Sequence, residues 1–232
     1  MFYTPNDSDD YRYERKFVVS ELTKPQIESL IRLHPAAFSE IYYERFVNNI
    51  YFDSCTMQNY FANIDGLQNR TKCRIRWYDD LFGFIEKPVL ELKIKDGLLG
   101  RKESFRLRPF TLDEQFHQDV IREVFQKTDM PAALKADLLC FQPVLLNRYS
   151  RRYFQSVDGN YRMTIDTQMA YYRIDPYENT FLQKHKDDDF IIVEMKYNYD
   201  RERFAQKISA FFPYRMTKSS KYVNGIQKLF LM

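Results

Sequence analysis

Basic residues recur at every second position in several stretches of this sequence. Between Lys72 and Trp77 every even position is Lys or Arg, and every odd position is Cys, Ile or Trp. Between Leu90 and Lys95 the charged residues again alternate with Leu and Ile. Because successive side chains of a β-strand point to opposite faces, each stretch predicts a strand with one apolar face and one charged face. Grouped Lys and Arg side chains are suited to binding phosphate groups.

Three further stretches repeat this pattern. Their charged or polar faces carry Lys102, Ser104, Arg106 and Arg108; Arg162, Thr164 and Asp166; and Glu194 and Lys196. An antiparallel sheet can simply turn such a face to water, and this remains the alternative for any single strand. Like charges on neighbouring strands repel, however, so a mainly basic face is unusual. If the sheet closes on itself, the cations converge in one lumen, which favours a polyanion such as a run of phosphates.

The end of the chain carries two more candidate anion ligands. Lys218 and Lys221 lie at the start of a predicted helix, beside Ser219 and Ser220. Cations at a helix amino terminus interact unfavourably with the helix dipole. Their presence there is explained if an anion binds between them and the free backbone N–H groups. Two solvated lysines are the alternative interpretation.

Alternation and capping residues predict the elements that would position these side chains. The predicted strands are Tyr11–Val19, Glu40–Asp53, Arg70–Tyr78, Phe84–Lys95, Arg101–Pro109, Gln142–Gln155, Tyr161–Thr167 and Phe190–Tyr199. The predicted helices are Lys24–His34, a short helix from Ser54 to Asp65, one opened by Thr111 with Glu114 and ending near Lys127, Pro131–Cys140, Arg201–Phe212 and Thr217–Leu231. Asp175–Asp189 is expected to be an exposed loop. The expected fold is α+β: an eight-stranded antiparallel β tunnel barrel lined by basic residues, with helices packed on the outside.

Composition limits the remaining possibilities. The 232 residues are 44% hydrophobic with a formal charge of +3, which predicts one folded domain over residues 1–232 and does not demand nucleic acid as a partner. The 3 Cys and 3 His residues are scattered, so neither a disulfide framework nor a zinc site is expected. P-loop, protein-kinase, GxSxG and HExxH motifs are missing from the sequence. Without a signal peptide or an apolar membrane-spanning stretch, we expect a cytoplasmic protein.

The ordered set of motifs resembles the VTC domain, the polyphosphate polymerase domain of the vacuolar transporter chaperone family, in the triphosphate tunnel metalloenzyme superfamily. The matching motifs are Tyr13–Lys16, Ile50–Asp53, Arg74–Tyr78, Glu91–Lys93, Lys102, Tyr149–Arg151, Arg162–Asp166, Glu194–Lys196 and Lys218–Tyr222. They span almost the whole chain.

The resemblance implies a role for each matching residue. The phosphate-binding residues would be Lys16, Arg74, Arg76, Lys93, Lys102, Tyr149, Arg151, Arg162, Lys196, Lys218 and Lys221. Those acting directly in catalysis would be Lys16, Arg74, Arg76, Lys93, Arg151, Arg162 and Glu194. Glu194 would be the metal ligand, for Mn²⁺ or Mg²⁺, and its alternative role is an ion pair with Lys196.

The implied reaction moves the γ-phosphate of ATP onto a growing polyphosphate chain, with pyrophosphate or triphosphate as primer. Related tunnel enzymes begin with an ExExK motif, but Arg12 stands here at its first position. This departure favours the polymerase branch over thiamine triphosphatases or adenylate cyclases. Any coupling of synthesis to membrane translocation would need a partner protein.

Three alternatives use the same residues. The first is an inorganic triphosphatase or polyphosphatase in the same tunnel, and the second is a non-catalytic polyphosphate-binding protein. The third, RNA binding, is disfavoured because the apolar residues alternate with the basic ones and are expected on the opposite face of each strand.

Overall fold

The strands form a closed antiparallel barrel in the computed structural model, which describes residues 12–97 and 99–230. Eight strands close the ring in the order β9-β11-β1-β6-β5-β3-β2-β8, and β8 pairs again with β9. The ring strands are β1 (Arg12–Val19), β2 (Ser39–Asp53), β3 (Asn69–Tyr78), β5 (Val89–Asp96), β6 (Leu99–Arg106), β8 (Gln142–Gln155), β9 (Arg162–Arg173) and β11 (Ile191–Asn198). The predicted eight-stranded antiparallel tunnel is confirmed.

Three short strands lie outside the ring. Strand β10 (Lys184–Asp187) pairs with residues 169–172 of β9, on the edge that pairs with β11 at residues 162–166. Strands β4 (Gly83–Ile85) and β7 (Phe110–Leu112) form a separate two-stranded sheet. Tyr11 and Leu231, the ends of two predicted elements, lie outside the described residues.

The strand register gathers the charged faces on one side of the sheet. Arg74 lies opposite Tyr51 on β2 and opposite Glu91 on β5. Lys16 on β1 lies opposite Glu194 on β11. Directly opposed residues share a face, so these side chains all enter the lumen. The apolar residues between them face outward and are buried beneath helices.

Most helices cover the outside of the barrel. The helices are α1 (Lys24–Arg32), α2 (Gln58–Ile64), α3 (Gln118–Lys127), α4 (Ala132–Leu139), α5 (Glu202–Ala210) and α6 (Lys221–Phe230). Helices α3 and α4 pack on outward residues of β3 and β5, including Ile75 and Leu90. Helix α1 packs in a second cluster around Phe17 and Met163. Each contributes an apolar stripe that the sheet buries.

Helix α6 is placed differently, because it covers one end of the lumen. Its Tyr222 and Ile226 belong to a buried cluster with Tyr51 and Leu145, which share the inward face of β2 and β8. A Cβ atom on Gly225 would lie 2.6 Å from the Leu145 side chain, so glycine allows the close approach. The first residue of α6 therefore enters the lumen.

Two sequence predictions about local structure are wrong. Thr111 and Glu114 do not open helix α3, because residues 110–112 pair with β4 and Leu112 is fully buried. The helix begins at Gln118 instead. The predicted exposed loop 175–189 contains strand β10, where Asp187 is buried and forms a 2.5 Å ion pair with Lys228 of α6. The pattern of three consecutive Asp residues concealed that strand.

Two predicted strands also have different limits. The predicted strand Phe84–Lys95 is split into β4 and β5, and the one ending at Pro109 stops at Arg106. Among the described residues, no helix has both the length and the apolar character needed to cross a membrane.

Candidate active site

The lumen is lined by an excess of cations. The lining includes eight cationic side chains and two carboxylates, with three tyrosines and a serine. The cations are Lys16, Lys72, Arg74, Arg76, Lys93, Arg151, Lys196 and Lys221. The carboxylates are Glu14 and Glu194, and the hydroxyl groups belong to Tyr51, Tyr149, Tyr222 and Ser220.

Most of the site residues predicted from sequence lie together in this lining. They are Lys16, Arg74, Arg76, Lys93, Tyr149, Arg151, Glu194, Lys196 and Lys221. Three others lie at the margins. The Lys102 side chain is 54% exposed and reaches Glu91 at 2.9 Å. Arg162 is exposed, on β9 opposite Lys196, and Lys218 is exposed three residues before α6 begins.

Glu194 lies among four cations. Its Oε1 atom is 3.3 Å from Lys16 Nζ and 3.5 Å from Lys221 Nζ. Its Oε2 atom accepts a hydrogen bond of 3.1 Å from Arg151 and lies 3.5 Å from Lys196 Nζ. Burial alone would raise the pKa of Glu194, but these cations hold the pKa well below its ordinary value. The carboxylate is therefore ionised throughout the neutral range.

Asp166 fixes the two most buried cations. Arg151 donates two hydrogen bonds to its carboxylate, at 2.5 and 2.6 Å, and Lys221 Nζ lies 2.5 Å from Oδ2. Arg151 and Lys221 are 5% and 7% exposed. A bidentate pair of this kind restrains the guanidinium in one orientation, so Arg151 is held in place before any ligand binds.

A second carboxylate, Glu91, anchors the cations of β3 and β6. Arg74 donates to Glu91 Oε2 at 2.7 and 2.9 Å, Arg76 lies 3.4 Å from the same oxygen, and Lys102 reaches Oε1. Burial would raise the pKa of Glu91, but Arg74 and Arg76 bring it well below its ordinary range. Glu91 thus aligns three predicted phosphate ligands.

Glu14 is a lumen residue that the sequence analysis did not assign. It alternates with Arg12 and Lys16 on β1, and that spacing is the signal that could have identified it. Its Oε2 atom lies 2.5 Å from Lys93 Nζ, and Oε1 lies 3.7 Å from Lys196. Burial alone would raise the pKa of Glu14. The charges of Lys16 and Lys93 outweigh this effect and bring the pKa well below its ordinary value. Glu14 and Glu194 share Lys16 and Lys196 as partners.

Lys72 is the second residue missed, although its position in the basic alternation marks it. Its ammonium group donates to Ser220 Oγ at 2.8 Å and, among the described residues, forms no ion pair with a carboxylate. Burial lowers the pKa of Lys72 well below its ordinary value, and the charges of Lys16 and Lys93 lower it further. An anion bound beside Lys72 would relieve this repulsion.

Lys93 is affected in the same way, but to a smaller extent. Burial lowers the pKa of Lys93 to about 8; Glu14 opposes this shift and Lys16 adds to it. The lumen therefore contains lysines whose charge depends on the presence of a compensating anion.

Tyr149 is in contact with several cations. Its hydroxyl accepts a hydrogen bond of 3.3 Å from Arg76, and Lys221 Nζ lies 4.6 Å from the centre of its ring. Burial would raise the pKa of this phenol, but Arg151 and Arg76 lower it below its ordinary value. Tyr149 was predicted among the phosphate-binding residues, and Tyr51 and Tyr222, which were not, also line the lumen beside the cations.

The segment before α6 adds hydrogen-bonding groups. Lys16 Nζ donates to the backbone carbonyl of Ser219 at 3.1 Å, and the Ser219 hydroxyl is buried without a hydrogen-bond partner in the described part of the chain. The first backbone N–H groups of a helix have no acceptor within the helix. Together with Lys221, these groups could bind an anion at the closed end of the lumen.

The carboxylates allow one arrangement for a divalent cation. No group of three or more His, Cys, Asp or Glu residues suited to a metal ion occurs in the described residues. Mg²⁺ in phosphate-binding sites, however, often takes only one or two carboxylates and receives its other oxygens from substrate phosphates and water. Glu194 and Glu14, both ionised and joined through shared lysines, fit that requirement.

Comparison with known proteins agrees with this architecture. The VTC domain family matches residues 11–230. A candidate adenylate cyclase from Bacillus halodurans is 17% identical, with 94% of this chain and 97% of that chain covered and a TM-score of 0.52. The protein PH1819 from Pyrococcus horikoshii is 14% identical, with 93% and 99% covered and a TM-score of 0.51. A search of curated proteins found no match. At these identities the solved structures establish a shared fold only.

Proposed function

The chain belongs to the VTC domain family of the triphosphate tunnel metalloenzyme superfamily, and on this premise we propose that it is a metal-dependent polyphosphate polymerase. The proposed donor is ATP, and the proposed acceptor is pyrophosphate, triphosphate or a longer polyphosphate chain. The proposed metal is Mn²⁺ or Mg²⁺. The products are ADP and a chain longer by one phosphate.

The observation that carries this proposal is the uncompensated charge of the closed lumen. Eight cations line it, and four carboxylates pair with them: Glu14 and Glu194 in the lining, and Glu91 and Asp166 behind it. Lys72 has no carboxylate partner among the described residues. Burying like charges is unfavourable unless opposite charges accompany them. A chain of phosphates supplies those charges along the whole lumen, whereas a single small anion would neutralise only part of it.

The proposed mechanism needs no nucleophile from the protein. Phosphoryl transfer depends mainly on in-line positioning and on neutralisation of the charge shared by the equatorial oxygens. Arg151, held by Asp166, and Arg74, held by Glu91, are rigid donors for those oxygens. Lys72 and Lys196 extend the cationic surface, so that donor and acceptor phosphates can lie end to end.

Glu194 and Glu14 would hold a divalent cation together with phosphate oxygens. The cation would supply further neutralisation of the transferred phosphoryl group. In the absence of a ligand, Lys16 and Lys196 balance these two carboxylates.

Product analysis tests the proposal. Purified protein incubated with γ-labelled ATP, Mn²⁺ and pyrophosphate is expected to release ADP and to form labelled chains that are resolved on a sizing gel. A Glu194→Gln variant is the matched control, because the change keeps the side-chain size and removes the negative charge. Labelled orthophosphate as the sole product would identify a hydrolase instead. Tight binding of tripolyphosphate without any turnover would identify a non-catalytic binding protein.

A further inference from the structure

A group of tyrosines lies at the end of the lumen opposite helix α6. On β3 the inward positions run from Lys72, which contacts the segment before α6, through Arg74 and Arg76 to Tyr78. On β8, Tyr153 follows Arg151 on the same face, with Tyr42 of β2 opposite it. These rings therefore continue the lumen surface where the cations of the two strands end.

The rings surround one arginine. The guanidinium carbon of Arg45 lies 4.1 Å from the ring centre of Tyr78, 5.2 Å from that of Tyr153 and 5.3 Å from that of Tyr42. The Tyr42 and Tyr153 rings meet edge to face, 5.5 Å apart. We call Tyr42, Arg45, Tyr78 and Tyr153 the tyrosine cluster.

The tyrosine cluster is open to solvent while remaining in contact with the lumen. Tyr42 is 51% exposed and Tyr78 is 40% exposed. Tyr153 connects the tyrosine cluster to the lumen, because the Arg151 guanidinium carbon lies 5.8 Å from its ring centre. At the other end of the lumen, Tyr51 and Tyr222 are 4% and 2% exposed, and they stack on each other in a packed cluster. Of these two groups of lumen tyrosines, the tyrosine cluster is the one exposed to solvent.

Exposed aromatic rings beside a row of side chains that are proposed to bind phosphate match the chemistry of a nucleoside triphosphate. Nucleobases stack on tyrosine rings and on planar guanidinium groups. We infer that the tyrosine cluster is the stacking site for the nucleobase of the donor nucleotide, with the triphosphate extending past Arg151 into the lumen. This inference rests on the proposed function, because it assumes a nucleotide donor. A purine presents more stacking area than a pyrimidine, so ATP is expected to bind more tightly than CTP.

Calorimetric titration with three ligands tests the inference. ATP, CTP and inorganic tripolyphosphate are titrated into the wild type, a Tyr42→Ala/Tyr78→Ala double variant and a Tyr43→Ala control. Tyr43 is 94% exposed, next to Tyr42 in sequence, and takes no part in the tyrosine cluster. In the double variant the dissociation constant for ATP is expected to rise about tenfold. The preference for ATP over CTP is expected to disappear, while tripolyphosphate binding and the melting temperature stay as in the control.

Several outcomes would overturn the inference. Equal weakening of ATP and tripolyphosphate would show that the tyrosines only support the lumen, and unchanged ATP binding would place the base elsewhere. If the double variant loses melting temperature, the Tyr42→Phe and Tyr42→Leu single variants decide the matter. If the inference is right, the Tyr42→Phe variant retains its affinity for ATP and the Tyr42→Leu variant loses it. Wild-type protein that binds ATP and CTP equally, with no loss of ATP affinity in the double variant, would refute the tyrosine cluster's role alone, whereas failure of the wild type to bind ATP would also refute the proposed function.

Discussion

The Lys72 ammonium group donates a hydrogen bond of 2.8 Å to the Ser220 hydroxyl, which joins strand β3 to the segment that opens helix α6. The two residues are 148 positions apart in the chain. Ser220 is a neutral partner, so the charge of Lys72 is left for a ligand to compensate. The contact places that charge at the closed end of the lumen, beside the first turn of α6.

Substitution of Lys72 by Met is expected to trade ligand affinity for stability. The change removes a half-buried amine whose charged form is disfavoured by burial and by Lys16 and Lys93, and which has no carboxylate partner among the described residues, so the melting temperature without ligand should rise by about 2–4 °C. Affinity for tripolyphosphate should fall about tenfold, since one charge-assisted contact is lost. Scanning calorimetry and titration calorimetry measure the two effects. Lys87→Met is the matched control, because the Lys87 side chain is 84% exposed. Unchanged affinity for tripolyphosphate in Lys72→Met would contradict the proposal that Lys72 binds phosphate.

Substitution of Glu194 by Gln is expected to separate binding from turnover. The loss of a buried carboxylate leaves Lys16, Arg151, Lys196 and Lys221 with less compensating charge, so the ligand-free protein should melt several degrees lower. Tripolyphosphate should restore the melting temperature, because it supplies the missing negative charge. ATP turnover should be lost, since the proposed metal ligand is removed.

The informative comparison for Glu194 is therefore the melting temperature with and without tripolyphosphate. A loss of melting temperature that tripolyphosphate does not reverse would show that Glu194 serves only to stabilise the barrel.

Binding of phosphate chains is expected to weaken as the pH rises through about 8, the pKa of Lys93. The ligand loses no negative charge over this range, so a fall in affinity must come from the protein. Titration of tripolyphosphate between pH 7 and pH 10, repeated with a Lys93→Met variant, measures the effect. The variant should show a smaller dependence on pH, and equal curves would refute the role of Lys93.

The same pKa predicts the sign for stability. Below pH 8 Lys93 is protonated in both the folded and the unfolded chain, and its unfavourable burial is fully present. Between about 8 and 10.5 only the unfolded chain retains the proton, so Lys93 makes the free energy of unfolding rise with pH. Denaturant unfolding of the wild type and of Lys93→Met at both ends of this range checks the sign.

Substitution of Gly225 by Ala tests how α6 positions Lys221. A Cβ atom there would lie 2.6 Å from both the Leu145 and Tyr171 side chains, so either these side chains or α6 must shift. We expect α6 to shift, because Leu145 and Tyr171 are fully buried. Overpacking of this kind costs about 1–3 kcal/mol of unfolding free energy. The shift should also weaken tripolyphosphate binding, because Lys221 moves relative to Asp166. Gly66→Ala is the control for a loss of stability alone: its φ of +70° strains an alanine, but nothing lies within 4 Å of the added Cβ, so the variant should be destabilised without weaker tripolyphosphate binding. Unchanged binding in Gly225→Ala would show that α6 does not position the site.

The barrel could be predicted from sequence because its strands alternate strictly. In Lys72–Trp77 and Leu90–Lys95, six residues are enough to identify the apolar and the charged face of a strand. The pairing register was not predicted, and it is irregular between the long strands β2 and β8. Residues 110–112 and strand β10 were not predicted, because a three- or four-residue strand carries too short a pattern. Their burial depends on partners distant in the chain, such as Lys228 for Asp187.

The candidate site was predictable in kind but not in its balance of charges. The alternation marked the cations, yet it could not show that Glu91 and Asp166 neutralise some of them. Nor could it show that Lys72, within the described part of the chain, has a neutral partner and no carboxylate. Glu14 lay between two basic positions and was not assigned. These relationships depend on contacts across strands, which spacing within one strand does not reveal.

The most direct test of the central claim is a crystal structure of the protein soaked with tripolyphosphate. We expect the phosphates to occupy the lumen, within hydrogen-bonding distance of Lys72, Arg76 and Lys196, with Glu194 still facing them. Tripolyphosphate bound on the outer surface, with the lumen lacking phosphate at saturating concentration, would contradict the account.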